Sequence, residues 1–189
     1  LLTALACWLA PAARAAPQPV LVSHDADFQT ALADHAIVFL DEKGELSLAE
    51  LIAKPSLFRS VGKPFIDYGL TDARIWVKAT FTNPSEKDGV WRLDLRRQFI
   101  SRMDVYFARN GAPPSQVLAH TDRDPFTARP ILNRYLAVDL PIAGGETIDV
   151  YISYRSEAAT WLPLTVGSRE AYAASHARED SLNWLINGA

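Results

Sequence analysis

Residues 74–82 read RIWVKATFT, and the period of that stretch decides the fold. Ile75, Val77, Ala79 and Phe81 fall on one side of an extended chain, with Trp76, Lys78, Thr80 and Thr82 on the other. A period of two is the mark of a strand with one face in a core. Working outward, VWRLDL (90–95) sets Trp91, Leu93 and Leu95 against Arg92 and Asp94, and RMDVYFA (102–108) sets Met103, Val105 and Phe107 against Asp104 and Tyr106. RYLAVDLPI (134–142) alternates Leu136, Val138 and Leu140 with Tyr135, Ala137 and Asp139, and TIDVYISYRS (147–156) turns Ile148, Val150, Ile152 and Tyr154 inward. Residues 36–40 read as a short buried strand and WLPLTVGS (161–168) supplies a last one.

Turn chemistry separates these runs. DEKGE centres on Gly44, NPSEKDG is punctuated by Pro84 and Gly89, and NGAPP and AGGE follow. DEKGE lacks the oxygen-ligand spacing of a calcium loop. Ser47 and Glu50 have the spacing of a capping box, over at most two helical turns. Short strands without interleaved long helices predict an all-β domain, an antiparallel sandwich or barrel over residues 36–166. Its core is expected to contain Ile75, Val77, Phe81, Trp91, Leu93, Val105, Val138, Val150 and Ile152.

The sequence of 189 residues has a formal net charge of −3 and no long Lys/Arg cluster, which argues against nucleic acid and against a polybasic membrane patch. The opening LLTALACWLAPAARAA reads as the end of a secretory signal peptide, residues 1–15, with Ala13-Arg14-Ala15 at its cleavage site. A buried N-terminal helix is the alternative. The sole cysteine, Cys7, lies in that segment, so an exported domain without disulfides fits a bacterial periplasm. Residues 16–167 then form the sandwich domain. Residues 168–189 are expected to be a helical linker toward a membrane region, with a short C-terminal helix over 168–182, capped by Ser168, that packs little.

No nucleophile elbow, phosphate loop or His-Glu-x-x-His occurs. His24, His35, His120 and His176 are too scattered for a metal site, so neither metal nor other cofactor is expected. Asp122 and Asp124 are the nearest thing to a carboxylate pair, and acids in a turn are usually only solvated.

Taken in order, LDEKGELSLAEL, YGLTDARIWVKATFTNP, ISRMDVYFARNG, DPFTARPILNRYLAVDLP and DVYISYRSEAATWLPLTV resemble one bacterial family over residues 36–182. It is the periplasmic sensor domain, of the second extracellular type, of seven-transmembrane receptors with diverse intracellular signalling modules. The most specific marks are Trp76-x-Lys78 followed by Asn83, the Arg129-Pro130 pair, and Leu162-Pro163-Leu164. The resemblance implies a jelly-roll-like β-sandwich similar to carbohydrate-binding modules. It also implies a periplasmic domain tethered to the inner membrane, ahead of an output such as a diguanylate cyclase or histidine kinase. The family usually carries Arg where this chain has Lys78, and Lys is a point charge rather than a planar fork.

Aromatic rings stack on sugars, and guanidinium forks bind carboxylates and hydroxyls. The candidate ligand-binding residues are therefore Trp76, Lys78, Arg97, Arg129, Arg134, Arg155 and Trp161, for a carbohydrate or small anionic ligand. No catalytic residue is expected. The other reading is a protein-interaction module that binds a partner receptor or forms a homodimer. The charged stretch 122–132 is read as a loop stiffened by Pro125 and Pro130, which either holds Arg129 in a site or closes on Asp122 or Asp124.

Overall fold

The computed structural model describes residues 17–63, 65–96, 100–110 and 112–187. The expected signal peptide, residues 1–15, lies outside them. The alternating runs become strands in the order β1 (Val20–Leu21), β2 (Gln29–Ala31), β3 (Ala36–Asp41), helix α1 (Leu48–Ala53), β4 (Arg59–Ser60), β5 (Arg74–Thr82), β6 (Gly89–Asp94), β7 (Arg102–Arg109), β8 (Ser115–Thr121), β9 (Ala137–Ile142), β10 (Thr147–Arg155), β11 (Thr165–Gly167) and helix α2 (Arg169–Asn187).

Two sheets pack face to face. The larger runs β4-β3-β5-β10-β7-β8, with β1 parallel to the end of β5, and the smaller runs β2-β11-β6-β9. From β5 onward the chain passes repeatedly between the sheets, which makes the sandwich jelly-roll-like. All nine expected core residues are buried, each at most 3 % exposed. Each such side chain contributes roughly 1.5–3 kcal/mol on burial.

The outer face of the larger sheet departs from simple alternation. Trp76 and Tyr151 point away from the main core, yet Trp76 is only 2 % exposed, because Leu51 of α1 and Phe58 pack over them. The capping box that starts α1 is formed: Ser47 Oγ accepts from the Glu50 N–H, and Glu50 accepts from the Ser47 N–H at 2.8 Å.

At one end of the sandwich, Asn83 is fully buried and joins two turns. Its Nδ2 donates to the carbonyls of Lys87 (2.8 Å), Ala143 (3.1 Å) and Ile142 (3.3 Å), and its Oδ1 accepts from the Ser85 N–H and Oγ. Beside it, Gly89 leaves room for Trp91: a Cβ there would lie 2.3 Å from the indole ring.

The helix expected to pack little instead docks on the smaller sheet. Tyr172 and His176 are 4 % and 6 % exposed, and His176 Nε2 is 2.9 Å from Oδ2 of the buried Asp94. Ser168 caps it as expected, its Oγ accepting from the Ala171 N–H at 2.9 Å. The sequence did not reveal this because the apolar stripe is sparse and the docking contacts are mainly polar and aromatic. Among the described residues no helix is long and apolar enough to cross a membrane.

Candidate functional site

The strand directions sort the loops. Those after β6, β8 and β10 (residues 95–96 with 100–101, 122–136 and 156–164) leave the sandwich at the end opposite Asn83. Three of them converge on a cavity of about 470 Å³, lined by Ile100 and Ser101, by His120, Asp122, Asp124 and Arg129, and by Ser156, Glu157 and Ala158. That volume is within the range of small-molecule sites.

Arg129 is held rather than free. A single 3₁₀ turn, Phe126–Ala128, precedes it, and its guanidinium lies 5.0 Å from the centre of the Phe126 ring. Its Nη1 donates to the carbonyls of Asn133 and Arg134, both at 2.7 Å. Its Nε is buried without a hydrogen-bond partner. Neither Asp122 nor Asp124 forms an ion pair with it among the described residues. Asp124 instead accepts from the Thr121 N–H at 2.6 Å, which closes the turn and draws its carboxyl below the usual range. The loop therefore closes through its own backbone, leaving the fork of Arg129 at the cavity wall.

His120 is 6 % exposed, and burial pushes its imidazole below the ordinary histidine value, against the opposing pull of Asp124 3.6 Å away. The unfolded chain therefore takes up a proton on lowering the pH before folded His120 does, so stability falls as pH drops through the ordinary histidine range. Between pH 7.5 and 5.5 the wild-type chain should lose more stability, by urea unfolding, than His120→Gln. Equal losses would show that His120 titrates as if exposed.

On the remaining wall, Ser101 Oγ accepts from the Glu157 N–H (3.2 Å), and Ser156 Oγ accepts from the Ala158 N–H (3.1 Å). Three carboxylates, one guanidinium, an imidazole and two hydroxyls thus face one space. Hydroxyl-rich ligands suit such a set, because each carboxylate accepts from O–H groups while the fork donates. Among the described residues no group of three His, Cys, Asp or Glu side chains has the arrangement of a metal site.

The residues singled out in the sequence are placed unevenly. Arg129 is in the cavity wall, and Arg134, Arg155 and Trp161 sit at or beside the loops of the same end. Arg134 lies over the Tyr135 ring at 5.6 Å, and Arg155 donates from Nε to the Asp72 carbonyl at 3.0 Å. Trp161 is 43 % exposed, with Phe65 edge-on at 6.3 Å. Trp76 and Lys78 lie elsewhere, on the outer face of β5. Trp76 has no ring face open to a ligand: it is stacked on Tyr106 and buried under α1. Lys78 is paired with Asp149 at 2.8 Å. Arg97 lies outside the described residues. Ser101, Ser156 and Glu157 escaped the sequence reading because they join the site only through folding.

A family model described as 7TMR-DISM extracellular 2 matches residues 33–168. No curated protein sequence matches the chain. Among solved structures, one that matches in part is a beta-glucosidase from Kluyveromyces marxianus in complex with glucose, at 9 % identity and a TM-score of 0.41. The similarity covers 73 % of this chain and 16 % of the glucosidase chain.

Proposed function

We propose, for a chain that belongs to the 7TMR-DISM extracellular 2 family, that it is the ligand-sensing domain of a bacterial seven-transmembrane receptor and binds a carbohydrate in the three-loop cavity. On this reading the domain works on the periplasmic side of the inner membrane. It passes its signal through α2 to a cytoplasmic output module, such as a diguanylate cyclase or histidine kinase, and does no chemistry itself. The observation that carries the ligand site is Arg129, fixed by two backbone carbonyls with its Nε unpartnered, in a cavity that also presents Asp122, Asp124, Glu157 and two serines. Three acids around one guanidinium favour a neutral, hydroxyl-bearing ligand over the small anion that the arginines alone had suggested.

Titration calorimetry of the chain against neutral monosaccharides and oligosaccharides, with organic acids alongside, tests this. A sugar should bind, and Arg129→Lys should weaken it at least tenfold, because a point charge replaces the planar fork. The far-UV circular dichroism should be unchanged. Binding equal to wild type would remove the cavity from the proposal.

A second reading has its own observation. Phe65 (40 % exposed), Tyr68 (40 %), Leu70 (81 %) and Trp161 (43 %) lie on two adjoining segments, tied by the Ile66–Leu162 bridge and by the bond from the Tyr68 N–H to Thr160 Oγ1. A patch of this kind favours an interaction or dimerisation module. Light scattering that shows a concentration-dependent dimer, abolished by Trp161→Ser, would favour that reading.

A further inference from the structure

The contacts of α2 follow β6 step by step. Arg169 and Arg92 share Asp139, at 2.6 Å and 2.9 Å, and the Arg92 guanidinium lies 4.8 Å from the Tyr172 ring centre. One turn on, His176 meets Asp94, and beyond that Glu179 pairs with Arg96. The helix therefore runs toward the end of the sandwich that carries the three-loop cavity. Asp94 is 1 % exposed, so its carboxylate is costly to leave without its imidazole partner. A slip of one helical turn would bring Tyr172 or Asp180 opposite Asp94, the latter a second carboxylate. This register is set by a discrete contact, not by a greasy stripe that could slide.

One arm joins that contact to the cavity. Arg129 lines the cavity and grips the carbonyls of Asn133 and Arg134. The next residue, Tyr135, places its ring 5.6 Å from that of His176. On the other side of the contact, Asp94 accepts from the Arg96 N–H at 2.9 Å, and Arg96 sits at a left-handed φ of 45°. The arm from Arg129 thus ends on the histidine that meets Asp94.

We infer that the Asp94–His176 contact is the relay between the cavity and α2: what engages Arg129 changes how firmly the helix is held. This rests on the cavity being the ligand site proposed above. Because Arg129 itself holds the arm that ends on His176, removing it should alter the docking of α2 even with no ligand present.

The test therefore uses no ligand, and its failure is separate from a failure to bind sugar. Amide hydrogen exchange is measured on the full chain and on Arg129→Ala. Amides of residues 172–179 should exchange at least tenfold faster in the variant, while those in the centre of β10 keep their wild-type rates. Asp122→Asn changes the cavity but lies off that arm, and should leave residues 172–179 unchanged. If Arg129→Ala slows nothing and speeds only residues 122–136, the relay is overturned. A global loss of protection in Arg129→Ala would transfer the same reading to Arg129→Met, which keeps the packed stem and loses both carbonyl contacts. Unchanged α2 exchange in that variant overturns the inference equally.

Discussion

Val150→Asp is expected to cost several kcal/mol and to leave the chain largely unfolded at room temperature. Val150 is 1 % exposed and stands between Ala79 of β5 and Phe107 of β7, on the inner face of the larger sheet. A carboxylate there has no cation to meet, since its neighbours on that face are Ile148, Ile152, Val77 and Phe81. An unpaired buried charge is among the few single changes large enough to consume most of a domain's stability of about 5–15 kcal/mol. Val90→Asp is the control: Val90 is 39 % exposed on β6, and the same substitution should stay within about 0.5 kcal/mol. Urea unfolding followed by circular dichroism measures both. A stable Val150→Asp would mean that β10 faces the other way, and with it every strand registered to it.

That strand was readable because its alternation spans nine residues, long enough for the period of two to dominate local noise. Arg74–Thr82 was readable for the same reason. β1, β2 and β4 were not, being two or three residues long. β8 was missed because its sequence, SQVLAHT, is mostly polar: at a sheet edge only Leu118 and His120 turn fully inward. The period also assigns faces without saying what covers them. Trp76 was correctly placed opposite the main core, yet the residues that bury it, Leu51 and Phe58, come from the chain before β5.

The candidate site divides along the same line. Arg129 could be found because Pro130 and Pro125 announce a stiffened loop. His120 and the two acids beside it looked like ordinary surface groups, and nothing in the sequence brings Ser101 and Glu157 to them. The Asp94–His176 contact spans 82 residues and leaves no local trace. Polar partners of this kind are fixed by topology, and topology is what a single sequence states least directly.

Asn83→Asp is the second large effect, and it separates shape from chemistry. The substitution keeps the size of the side chain and replaces its NH₂ with an oxygen. In the wild type that NH₂ faces three carbonyl oxygens, those of Lys87, Ala143 and Ile142, at 2.8, 3.1 and 3.3 Å. A carboxylate in the same place turns these attractions into repulsions in a fully buried setting. Asn83→Ala leaves those three carbonyls, and the Ser85 N–H and hydroxyl that Oδ1 accepts from, without their partner but introduces no repulsion, at a cost of about 1–3 kcal/mol. The aspartate, nearly isosteric with the native side chain, should therefore be the more damaging of the two at neutral pH, by urea unfolding. Because Asn83 sits at the opposite end from the three-loop cavity, whatever fraction of either variant remains folded should bind the ligand of that cavity with wild-type affinity. An alanine variant less stable than the aspartate would show that packing volume, and not the three donated bonds, is what Asn83 supplies.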